Sequence, residues 1–140
     1  MPSPEQVARV ASEWVEKAEH DFQAAVWLLE LGQAAPTDVV CFHAQQCVER
    51  YSKSLMVLAQ LPVPKTHDIE KVLALMPEGG QLSLTPAEMR ALTGYAAEMR
   101  YPGHAPVSLE EAQRAVELAR RVRAQARDIL PEKALEPERD

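Results

Sequence analysis

The chain has 140 residues, 46% of them hydrophobic, which is the size of one domain and excludes intrinsic disorder for its body. Ala (21), Leu (15) and Glu (16) dominate while Ile (2) and Gly (5) are scarce, a mixture that favours helix because those three side chains lose little freedom there. The formal net charge of −6 argues against holding nucleic acid by bulk positive charge.

The first predicted helix opens at a capping box. Ser3 caps, Pro4 fits the first turn, and Gln6 stands three residues after the cap. Val7, Ala11, Trp14, Val15, Ala18, Phe22, Ala25, Val26 and Leu29 then recur with the 3.6-residue period of one buried stripe, and Gly32 ends it. Trp27 lies opposite that stripe, where an interface anchor competes with packing under a loop. The second helix is expected over about 39–60, with Val40, Ala44, Cys47, Val48, Tyr51, Leu55 and Leu58 inward and Pro62 and Pro64 as stops. Thr66 is expected to cap a third, over 67–76. Thr85 and Glu88 form the box of a fourth, over 86–100, and Ser108 and Glu111 the box of a fifth, over 109–130. The division expected is one helical domain over 1–130 and a charged, frayed tail over 131–140. No strand pattern is present. The fold class expected is all-α, an up-and-down bundle of four or five helices.

No uncharged run reaches the ~18 residues of a membrane span, and the N-terminus lacks a signal-peptide pattern. Cys41 and Cys47 are separated along one helix by about 9 Å, beyond disulfide reach. Both are expected to be free thiols in a reducing cytoplasm. His20, His43, His67 and His104 fall on different elements. His43 and Cys47 stand four apart, but no third ligand accompanies them, so no metal and no cofactor is expected.

Three polar features remain. On the second helix Gln46, Glu49, Arg50 and Lys53 share a face, with Phe42 and Val57 near it. Such a face is either solvated surface or a half-buried polar seam at an interface. Where the fourth helix ends, Arg100-Tyr101-Pro102-Gly103-His104 makes a tight turn that brings an arginine near a histidine. Arginine clamps phosphate and histidine transfers protons, although cationic side chains also satisfy helix C-terminal carbonyls. On the fifth helix Arg114 and Arg121 lie on one flank of the apolar stripe, and Arg120, Arg123 and Arg127 on the other. The charge is uneven: residues 1–70 hold 5 basic and 10 acidic side chains, and residues 71–140 hold 10 and 11. Most of the basic residues thus sit in a nearly neutral half.

The segments Phe42-His43-Ala44-Gln45-Gln46-Cys47-Val48-Glu49-Arg50-Tyr51-Ser52-Lys53-Ser54-Leu55, Lys65-Thr66-His67-Asp68-Ile69 and Arg100-Tyr101-Pro102, with Ala18-Glu19-His20-Asp21-Phe22 on the first helix, resemble the HEPN domain (higher eukaryotes and prokaryotes nucleotide-binding) over roughly residues 10–130. The resemblance implies a helical bundle that commonly forms a homodimer. It implies either a nucleotide- or RNA-binding partner of a minimal nucleotidyltransferase, in a toxin–antitoxin-like pair, or a metal-independent RNase with a composite site. In the RNase scheme His104 moves the proton and Arg100 stabilises the charged transition state. Three residues separate Arg100 from His104, a shorter spacing than the family's nuclease motif has, and the Arg-Tyr-Pro form resembles the branch without that motif. Asp21, Gln46, Glu49, Lys53 and Tyr101 are then expected to bind nucleotide or phosphate or to line the dimer cleft. A non-catalytic structural adaptor is the third reading.

Overall fold

A computed structural model describes residues 1–77, 82–97, 102, 103 and 105–136. Among them six α-helices and one 3₁₀ turn form the chain, and no strand is present. Helix α1 spans Pro4–Leu29. Its capping box closes as the spacing predicts: Ser3 Oγ accepts the Gln6 N–H at 3.1 Å and Gln6 Oε1 accepts the Ser3 N–H at 2.8 Å. After the helix, Gly32 takes φ +58°, which a side chain resists, and opens the 3₁₀ turn Gly32–Ala34. The chain then reverses into α2, Thr37–Leu58.

Helix α2 begins two residues earlier than the apolar stripe suggests. Pro36 occupies its cap position, and the Thr37 hydroxyl donates to the Val107 carbonyl at 2.8 Å rather than capping. The chain leaves it through Gln60, with φ +58°, ahead of Pro62 and Pro64. Helix α3, Ile69–Ala74, is shorter than expected. Its cap is Asp68, whose carboxylate accepts the Lys71 N–H at 3.2 Å, whereas Thr66 Oγ1 accepts the Asp68 N–H at 3.1 Å in the turn before it. Helix α4 (Pro86–Ala97) and helix α5 (Leu109–Ile129) start at the expected Thr85 and Ser108.

The tail expected to fray instead folds back in part. Pro131 turns the chain out of α5 and Glu132–Leu135 forms α6, which packs on α1 with Ala134 fully buried. Two apolar residues, Ala134 and Leu135, give this short segment a face to bury despite its charge.

The antiparallel α1–α2 hairpin is the centre of the bundle, and α5 lies across it. Small residues line the contact: Ala11, Ala18 and Ala25 of α1, Ala44 of α2, and Ala112, Ala119 and Ala126 of α5 are all fully enclosed. Alanine at these positions lets the helix axes approach closely. Val40, Val48, Ile69 and Leu92 fill the wider gaps, each contributing roughly 1.5–3 kcal/mol by leaving water. Cys41 and Cys47 are free and buried in this core. Burial, with nearby carboxylates adding to it, pushes the Cys41 thiol up to about 12 and raises that of Cys47 as well, so neither is a nucleophile in the folded chain.

Candidate functional site

The hairpin brings polar residues of α1 and α2 to one level. Residues 21 and 43 stand at nearly equal distances on either side of the 32–34 turn, so antiparallel helices set them opposite each other. Asp21 Oδ1 accepts the His43 Nδ1 proton at 2.8 Å, and Asp21 Oδ2 accepts from Arg50 Nη1 at 2.6 Å. A carboxylate only accepts, so this bond fixes the proton on Nδ1 and leaves Nε2 as the outward ring nitrogen. His43 and Arg50 are seven residues apart, two helical turns, and therefore share a face. Asp21 is buried, while the His43 and Arg50 side chains are 29% and 32% exposed.

A second carboxylate lies further along α2. Glu49 Oε2 accepts from Lys53 Nζ at 2.9 Å; Glu49 Oε1 accepts from Gln45 Nε2 at 3.0 Å and from His67 Nδ1 at 2.7 Å. Lys53 Nζ also donates to the Thr66 carbonyl at 3.0 Å and lies 5.7 Å from the Trp14 ring centroid. Gln46 Nε2 donates to Gln45 Oε1 at 2.6 Å. Burial opposes ionisation of Glu49, but the bonds from Lys53, Gln45 and His67 outweigh it and hold its carboxyl below the usual range. The turn before α3, which carries Thr66 and His67, thereby closes over the middle of α2. Gln46, Glu49 and Lys53 are each no more than 5% exposed, and only His67 reaches solvent, at 54%.

A third carboxylate ties α1 to α5. Arg123 grips Glu19 through Nε and Nη2, both at 2.7 Å, and the Tyr51 hydroxyl donates to Glu19 at 2.6 Å. Arg120 and Arg123 stack against Phe22, at 5.3 and 5.1 Å. Burial again opposes ionisation, and the Arg123 and Tyr51 bonds again prevail and lower the Glu19 carboxyl. The Tyr51 phenol is raised, by burial first and by its bond to Glu19 second. Arg121 meets Glu88 of α4 at 3.1 Å. The arginines of α5 are thus divided among neighbouring helices: three of them, Arg121, Arg123 and Arg127, reach carboxylates of α1 or α4.

Of the residues read from the sequence as a site, Asp21 belongs to one cluster and Gln46, Glu49 and Lys53 to the next. Arg100, Tyr101 and His104 lie outside the described residues. Gly103, in the turn between them, has φ +91°. His43, Gln45 and His67 stand in the segments that carry the family resemblance but are not among the expected site residues. His43 becomes legible only when the hairpin places Asp21 opposite it, and His67 only when its loop folds across α2. Trp27 is not covered by a loop; it is 66% exposed. Among the described residues no three His, Cys, Asp or Glu side chains are grouped to hold a metal. No described helix is long and apolar enough to cross a membrane.

A long antiparallel hairpin, crossed by α5 and carrying carboxylate-centred polar clusters along α2, defines an all-α bundle of the HEPN kind. The family model described as "HEPN domain" matches residues 11–129, and the chain belongs to that family. Its fold is similar to the crystal structure of TT1696 from Thermus thermophilus, with 30% identity, a TM-score of 0.68, and coverage of 84% of this chain and 96% of that one. No curated protein sequence matches the chain.

Proposed function

We propose that this protein is a HEPN-type binding protein of the reducing cytoplasm. It acts as a homodimer that binds nucleotide or RNA and serves as the small partner of a minimal nucleotidyltransferase in a toxin–antitoxin-like pair. The observation that carries this reading is the contrast within α2. The carboxylates Glu49 and, facing the helix from α1, Asp21 are enclosed and bonded, and what reaches solvent beside them is an edge of donors and imidazoles, His43 and Arg50 of α2 and His67 of the turn before α3. Donors already oriented by buried carboxylates need little reordering when an anion arrives. The reading favours binding over nuclease activity because only three residues separate Arg100 from His104 in the sequence.

The test combines three measurements. Solution mass at micromolar concentration is expected to give a dimer; a strict monomer overturns the composite cleft. A thermal-shift screen with nucleotides is expected to raise the transition, since a ligand of the native state alone must do so. No shift with any nucleotide or RNA favours the structural adaptor. RNA cleavage in chelator, compared among wild type, Arg100→Ala and His104→Ala, is expected to show no activity dependent on those side chains. Cleavage lost equally in both variants overturns the binding reading in favour of a metal-independent RNase.

A further inference from the structure

The geometry points to a specific anion site: we propose that Arg50 and His43, anchored on Asp21, bind a terminal phosphate monoester, as on a nucleoside monophosphate. This deepens the binding reading above and rests on it, since it names the group that is bound and where.

The two cationic side chains converge on one carboxylate. His43 Nδ1 and Arg50 Nη1 hold the two oxygens of Asp21, at 2.8 and 2.6 Å, and a carboxylate places its oxygens only about 2.2 Å apart. The inner edges of both donors are therefore fixed within a few ångströms of each other. No group among the described residues takes up their outer edges. Among the described residues Arg50 makes no hydrogen bond other than the one to Asp21, and His43 none beyond its Nδ1 bond. Each side chain is about one-third exposed. A guanidinium fork bonded inward to a carboxylate still presents parallel N–H groups outward, the geometry that two phosphate oxygens match.

The charge balance also fits. Asp21 and Arg50 cancel, so the site is neutral with neutral imidazole and +1 with imidazolium. Neutral His43 offers Nε2 as an acceptor, because Asp21 holds the proton on Nδ1. A phosphate dianion only accepts, so it is the imidazolium form, with a proton on Nε2, that donates to it. Among the described residues His43 meets Asp21 of α1 and, on its own helix, the Phe42 ring at 5.6 Å, and Arg50 shares the Asp21 carboxylate with it.

A monoester fits better than an extended polyanion. One arginine and one histidine make a two-residue patch, too small to follow a long phosphate backbone, which the chain's net charge of −6 also opposes. The neighbouring Glu49 cluster is not equivalent. Its cation, Lys53, is enclosed and already bonded to Glu49 and Thr66, so it offers His67 no second outward donor.

The experiment is calorimetric titration of the full chain at pH 7.0 with AMP, inorganic phosphate and adenosine. AMP is expected to bind, phosphate more weakly, and adenosine not detectably. Arg50→Gln and His43→Gln change side chains only about one-third exposed, and circular dichroism checks their fold. Each is expected to weaken AMP at least tenfold, and Arg50→Lys to restore only part. AMP binding unchanged in both variants overturns the site while leaving nucleotide binding in place. Adenosine binding as tightly as AMP overturns the phosphate assignment. An RNA oligonucleotide without terminal phosphate binding more tightly than AMP overturns the monoester assignment. No binding of AMP or phosphate at millimolar concentration overturns the proposal, whether or not RNA binds.

Discussion

The Asp21 and Glu49 clusters are built from the same parts and do different work. Each has a buried carboxylate, a histidine bonded through Nδ1 and a cation from α2. Around Glu49 the loop before α3 closes over the cation, which spends its donors on Glu49 and the Thr66 carbonyl. Around Asp21 nothing described closes over the cation, and Arg50 keeps donors facing outward. Cover, rather than composition, separates a group that holds the bundle together from one able to meet a ligand.

The largest effect that sharpens this comparison is on stability at Glu49. Glu49→Ala strands Lys53 as a buried, uncompensated charge and is expected to cost about 3–5 kcal/mol in denaturant unfolding. Asp21→Asn leaves two partners that water can reach and is expected to cost about 1–2 kcal/mol while removing the anchor of the phosphate site. Equal costs at the two positions break the distinction between a sealed and an open cluster.

Acid comes next. Glu49 and Glu19 are both held below the ordinary value of 4.5 in the folded chain. A depressed carboxyl contributes stability that is complete above its unfolded value and is lost as pH falls through its folded value. The chain is therefore expected to lose stability as pH drops from about 5. Glu49→Gln should flatten that slope, which melting temperatures between pH 7 and 3 will show. An unchanged slope removes Glu49 as a contributor. The smallest effect belongs to the exposed tie between α4 and α5: Arg121→Ala is expected to cost about 0.2–1 kcal/mol, because water screens the Glu88 pair.

Much of the fold is local chemistry and is legible in the sequence. Ser3, Thr85 and Ser108 each start a helix where their spacing to Gln6, Glu88 and Glu111 says they should. The stripes of α1 and α2 bury most of the residues their period selects. Misjudged boundaries have tertiary causes: Thr37 bonds to Val107 instead of capping, Asp68 takes the cap expected of Thr66, and Ala134 docks on α1. The site is less legible. The shared face of Gln46, Glu49, Arg50 and Lys53 is a property of one helix. Its division into sealed and open parts depends on which loop covers it, and no periodicity within α2 encodes that. The same holds for Glu19, Tyr51 and Arg123, which meet across sequence separations of 32 and 104 residues.

The central claim is that the Asp21 cluster, and not its Glu49 counterpart, receives phosphate. Imidazole ¹⁵N resonances followed by NMR during AMP titration test it directly, because each cluster carries its own histidine. A saturable shift at His43 Nε2 with His67 unmoved, abolished by Arg50→Gln, is the expected result. A shift at His67 with none at His43, or a His43 shift that survives Arg50→Gln unchanged, contradicts it.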